Sequence, residues 1–172
     1  MFVRGQLFHQ LGGFDGDYFA HLEEIDFCWR LKRAGFKVMA MPQTEVFHIG
    51  GGTLQYESPH KTYLNFRNSL FTIYKNESTR KLLWLIPLRL ILDGFAAVLF
   101  LAQGKTAHIK SILQAHRDFY RQLKKLREKR IHYVELINRY SISPEYNNKG
   151  VYHKSVVWQY FALGRKQFKN LG

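Results

Sequence analysis

Residues 82–102, LLWLIPLRLILDGFAAVLFLA, restrict the fold most, because so long an apolar run must be covered by protein or by lipid. Its length matches the roughly 20 residues a helix needs to cross a bilayer. Arg89 and Asp93 interrupt it four positions apart, the spacing of a helical ion pair. Each charge would cost roughly 2.5–3.5 kcal/mol at a bilayer centre, and Pro87 and Gly94 weaken a straight helix further. The segment is therefore expected to lie on the membrane or re-enter it, with a single span as the alternative.

Residues 105–130 follow as a basic amphipathic helix carrying Arg117, Arg121, Lys124, Lys125, Arg127, Lys129 and Arg130. Such a helix beside an apolar one suits an anionic membrane surface. The net charge of +13 would equally attract nucleic acid or phosphate-bearing substrates. The aromatic residues fall on apolar helix faces, where packing explains them, so no nucleic acid is expected as a partner. Met1-Phe2-Val3-Arg4-Gly5 has no secretory character, which points to the cytoplasmic side. Beyond Ser141 the chain is aromatic and basic without a legible motif. The expected units are residues 1–76, 77–130 and 131–172.

Residues 1–60 have the turn-rich texture of an α/β domain. Residues 22–34 predict a helix with acids early, Arg30, Lys32 and Arg33 late, and Gly35 as terminator. Residues 36–41 and 44–49 predict two strands, parted by Pro42. Residues 50–59 form a glycine-led loop long enough to be a lid, and residues 61–75 a further helix. Cys28, the only cysteine, excludes an internal disulfide and reads as core.

Glu23, Glu24 and Asp26 crowd the first turn of the 22–34 helix. On a helical wheel Glu23, Asp26, Arg30 and Arg33 share a stripe that reads as an ordinary solvated face. Glu24 falls instead with Cys28 and Leu31, where a carboxylate is either at a cleft edge or buried as a general base. The plainer alternative is that all three acids complement the positive helix end, at about 0.3–1 kcal/mol each. His48, before Gly50-Gly51-Gly52, is by itself an ordinary strand-end histidine.

Gly12-Gly13-Phe14-Asp15, Glu23-Glu24, Asp26, Arg30-Leu31 and Gly35, then His48 and the glycines, resemble the C-terminal half of the catalytic domain of family 2 inverting nucleotide-sugar glycosyltransferases of the rhamnosyltransferase kind. The resemblance implies an α/β, GT-A-type fold, here only its C-terminal half, with a helical membrane-proximal extension. It further implies that Glu24, the second acid of the pair, is the catalytic base, with Asp26 as understudy and Glu23 orienting neighbours. His48 would face the metal, Mn²⁺ or Mg²⁺, of a nucleotide-diphosphate sugar donor. Gly50 and Gly51 would let backbone approach its phosphates, and Lys61, Arg67 and Asn68 would belong to the basic-aromatic helix after the lid. Asp15-Gly16-Asp17 matches an Asp-x-Asp metal motif in letters but reads as turn chemistry. The implied enzyme moves a hexose or deoxyhexose to a cell-envelope glycan or lipid-linked acceptor. The rival expectation is a non-catalytic, basic, membrane-peripheral interaction protein.

Overall fold

The computed structural model describes residues 1–41, 43, 45, 47, 58–143, 147, 149, 152, 154–156 and 158–167. Among them every regular element is helical: α1 (Gly5–Gln10), α2 (Glu23–Arg33), α3 (Pro59–Asn76), α4 (Thr79–Ala102), α5 (Thr106–Arg121) and α6 (Leu123–Tyr140), with short turns at Gly16–Tyr18 and Trp158–Ala162. The expected α/β, GT-A-type fold is therefore corrected to an all-helical one. Residues 36–41 form no strand, and Met39 is 76% exposed. Of the second expected strand only Glu45 and Phe47 are described, and neither is in a strand. A helix closes its hydrogen bonds within itself, but a strand needs a partner edge, and none exists among the described residues.

The helices start and stop where local chemistry directs. Ser58 caps α3 by accepting from the Lys61 backbone N–H at 3.1 Å, and Pro59 stands at its first turn. Ser78 caps α4 in the same way. Gly35 follows α2 at φ +84°, the left-handed conformation a helix C-terminus favours. The single basic helix expected over 105–130 is two, α5 and α6, joined at Gln122, and α6 runs through the expected boundary at 130.

Two apolar clusters hold the helices together. Leu11, Phe27, Leu31, Ala34 and Ile137 join α1, α2 and α6. Tyr18, Leu70, Phe71, Phe119 and Leu126 join α3, α5 and α6. The chain after α6 returns to α2, where the Ile142 N–H bonds the Ala34 carbonyl and the Asn147 N–H the Lys32 carbonyl.

Helix α4 is inside out. Its packed positions recur with helical period and include Arg89 and Asp93, whereas the positions between them, among them Leu83, Trp84, Leu88, Ile91, Phe95, Val98 and Leu99, are exposed and uncharged. Asp93 pairs with Arg89 at 2.8 Å, as its spacing predicts, and with His116 of α5 at 2.9 Å. Arg89 lies over the Phe66 ring of α3, and Phe100 stacks on His108 of α5. Both charges thus face protein, Asp93 buried and Arg89 partly so, which lowers the penalty that argued against insertion. α4 is long and apolar enough to cross a membrane.

Candidate functional site

The acid-rich region is organised by a buried ionic network between the two clusters. Asp26 accepts from Arg30 at 3.0 Å and Asn76 at 2.7 Å, and lies 3.2 Å from the Lys75 ammonium. Lys75 also donates to Asp15 at 2.7 Å. Arg30 donates to the carbonyls of Leu11 and Gly13, so it ties the glycine loop to α2. Its guanidinium lies 4.2 Å from the Tyr133 ring centre, and the Lys75 ammonium 4.5 Å from that of Tyr18. Asp26 and Arg30 are fully buried, so the solvated charged face expected for them is corrected. α3 supplies Lys75 and Asn76 far along the sequence, and these partners turn that stripe inward.

Asp15 and Asp17 form the turn expected of them, the Asp15 carboxylate accepting from the Asp17 backbone N–H at 3.0 Å. They are also neutralised from α6: Lys129 bonds both and Lys125 lies 2.7 Å from Asp17. Burial alone would raise the Asp15 carboxyl, but Lys75, Lys129 and the Asp17 N–H outweigh it and hold it well below the usual range. Asp17 is lowered in the same way by Lys125 and Lys129 against its burial. Burial, reinforced by Asp26, drives the Tyr18 phenol far up, and its hydroxyl pairs with Thr72 at 2.8 Å.

The loop entering α2 is strained. Phe19, His21 and Leu22 have φ of 63°, 69° and 73°, a region non-glycine residues rarely adopt. Two α3 side chains hold it there. Asn68 donates to the carbonyls of Tyr18, Ala20 and His21 at 3.1, 2.8 and 2.8 Å. Arg67 donates to those of Asp17 and Tyr18 at 2.9 and 3.1 Å, and to the Asn68 amide oxygen. The pinned loop delivers Glu23 and Glu24 at the first turn of α2, which no side chain caps.

These two glutamates differ from the other acids of the region. Glu24 is exposed and Glu23 half-buried, and neither has a hydrogen bond or ion pair with any described residue. The Glu23 Oε2 atom and the His21 Nε2 atom are buried without partners. Cys28, half-buried rather than core, has its thiol pushed up by burial and by Glu24. Asp26 is closed off from solvent within the network. Arg67 is engaged by loop carbonyls. Lys61 lies apart, in a hollow of about 330 Å³ with Thr62, Lys105 and His108. His48, Gly50 and Gly51 lie outside the described residues. No three His, Cys, Asp or Glu side chains gather as a metal centre among the described residues.

Thr72, Lys75 and Asn76 went unrecognised in the sequence, and Asn68 was placed in the helix without its role as a loop anchor. Their spacing along α3 was the available signal, a polar stripe in a helix otherwise rich in aromatics.

The chain is similar over part of its length to glycosyltransferases. It is 25% identical over 113 residues, 63% of this chain and 36% of the other, to the low-salt glycan biosynthesis hexosyltransferase Agl10 of Haloferax volcanii. It is 42% identical over 48 residues, 28% of this chain and 16% of the other, to the N-acetylglucosaminyl-diphospho-decaprenol L-rhamnosyltransferase of Mycobacterium tuberculosis. The chain thus spans about a third or less of the curated relatives it matches. No family model and no solved structure matches it. These partial similarities support a role in glycosyl transfer in general terms.

Proposed function

We propose that this chain contributes the acceptor side of an inverting glycosyl transfer, with Glu24 as general base. One contrast carries the reading: Asp15, Asp17 and Asp26 are all neutralised by cations, while Glu24 stands unpartnered and exposed at the first turn of α2, just after a strained, side-chain-pinned loop. Strain of this kind clusters where a group must be held for use. The Glu24 carboxylate takes the proton of an acceptor hydroxyl as its oxygen bonds the anomeric carbon. The bond from that carbon to the diphosphate oxygen breaks on the opposite face, and the nucleoside diphosphate leaves with the electron pair. Glu23, beside Glu24 at the first turn of α2, is suited to orient neighbouring groups. The donor is a nucleotide-diphosphate hexose or deoxyhexose, and the acceptor a glycan or lipid-linked sugar.

The chain works at a membrane. The outward side of α5 carries Lys110, Gln114, Arg117 and Arg121, all exposed, and α5 flanks α4. That arrangement favours α4 lying in the interface with its apolar face down over crossing the bilayer, with the basic side chains at anionic headgroups.

The test is transfer of labelled sugar from nucleotide-diphosphate donors to lipid and glycan fractions in vesicles by the chain combined with the donor-binding part of a curated relative. Product of inverted anomeric configuration is expected; absence of transfer, or retained configuration, overturns the reading. A second reading, a non-catalytic membrane-peripheral protein, is favoured by Glu24 lining none of three hollows, of about 680, 380 and 330 Å³, among the described residues. Vesicle binding with no sugar transfer would establish it.

A further inference from the structure

The start of α4, the end of α3 and the α5–α6 junction enclose an open groove of about 680 Å³, within the roughly 300–1,000 Å³ of small-molecule sites. It lies away from Glu24. Its lining is largely apolar, with Ile86, Leu123, Ile131 and Val134 among the contributors. Leu83, which is 77% exposed, lines the groove and also belongs to the outward apolar face of α4. The groove is therefore continuous with the surface that meets lipid, and an apolar chain can enter sideways without crossing water.

Two guanidiniums line the groove. Arg130 is fixed, donating to the Tyr74 carbonyl and the Thr79 hydroxyl and lying over the Tyr74 ring, with N–H donors to spare. Arg127 is exposed and pairs with no described residue. Glu135 is the one acid in the lining. An apolar trough with two arginines matches a ligand that joins a hydrocarbon tail to a phosphate.

We propose that this groove holds one membrane lipid with an anionic phosphate headgroup, its phosphate on Arg127 and Arg130 and its chain along Ile86, Leu123, Ile131 and Val134. Such a lipid would fix the depth of the helical bundle in the leaflet. The proposal rests on the membrane attachment of α4 but not on sugar transfer.

The experiment is native mass spectrometry of the full chain released from vesicles of equal phosphatidylglycerol and phosphatidylcholine, with vesicle flotation in parallel. The chain should retain one lipid, predominantly phosphatidylglycerol. Arg127→Glu should lower that retention about tenfold or more, Ile131→Trp should abolish it by filling the groove, and Glu135→Gln should raise it. All three variants should float as the wild type does, because the outward face of α4 is intact. No retained lipid, equal retention of both lipids, or retention unaffected by Arg127→Glu and Ile131→Trp overturns the proposal. If the wild type does not float, the attachment reading fails separately. The groove is then decided in solution by calorimetry with submicellar dodecyl phosphate: binding lost in Arg127→Glu upholds an anionic-tail site, and no binding overturns it. Displacement of the retained lipid by an acidic peptide in preference to phosphatidylglycerol would likewise overturn it.

Discussion

Replacing Lys75 by Met should be strongly destabilising. The side chains are close in length, so the loss is chiefly the charge. Lys75 is 1% exposed and bridges Asp15 at 2.7 Å and Asp26 at 3.2 Å. Without it Asp15 keeps Lys129 and the Asp17 N–H, and Asp26 keeps Arg30 and Asn76, but the buried network is one cation short. Removing one partner of a buried pair costs about 3–5 kcal/mol. For a chain of 172 residues, at about 2–4 °C per kcal/mol, the melting temperature should fall by roughly 6–20 °C. The exposed Lys81–Glu77 pair, 3.2 Å apart, is the control, and Lys81→Met should cost under about 1 kcal/mol. The deficit should also depend on pH. Asp15 has a lowered pKa in the fold, so its stabilisation is complete above its unfolded value of 3.8 and is lost as pH falls below that. Less of that depression survives in Lys75→Met, so wild type and variant should converge in acid. The assay is urea unfolding at pH 7 and near pH 2, well below the unfolded value. Asp15→Asn/Lys75→Met should recover much of the loss, since it removes both members of a pair. A cost below about 1 kcal/mol at pH 7, or an equal cost at both pH values, would refute the reasoning.

Asn68→Ala removes three bonds to strained carbonyls and should cost roughly 2–4 kcal/mol, with faster amide exchange in residues 19–22 read by mass spectrometry. Gly35→Ala should cost roughly 1–3 kcal/mol in thermal unfolding, because its Cβ would stand 2.9 Å from the Ser143 Cβ at a positive φ; Gly16→Ala, with nothing within 4 Å, should be nearly silent. Phe95→Glu, at a position 65% exposed on the outward face of α4, should lose vesicle flotation while leaving the circular dichroism of the chain unchanged.

The helices were largely legible because their determinants are local. The expected 22–34 and 61–75 correspond to Glu23–Arg33 and Pro59–Asn76 within two residues at each end. The strands were not, because residues 36–41 carry a strand-like pattern whose realisation depends on a neighbour elsewhere. Wheel geometry grouped Asp26 with Arg30 correctly but assigned that side to solvent. Nothing within α2 reveals that Asn76, 50 positions later, meets Asp26. The reverse error touched α4: Arg89 and Asp93 counted against insertion, yet both turn toward α3 and α5 and leave the outer face uncharged. Glu24 was singled out by resemblance to a sugar-transfer motif, and the structure adds that it stands apart from the neutralised acids.

The role proposed for the Glu24 carboxylate is to take the proton from the acceptor. It is tested most directly by acceptor-dependent nucleoside diphosphate release in Glu24→Gln beside wild type, with matched thermal stability as the check on folding. General-base catalysis contributes about 10²–10⁴-fold; a loss of that order is expected, partly recovered in Glu24→Asp. Wild-type turnover in Glu24→Gln would contradict it.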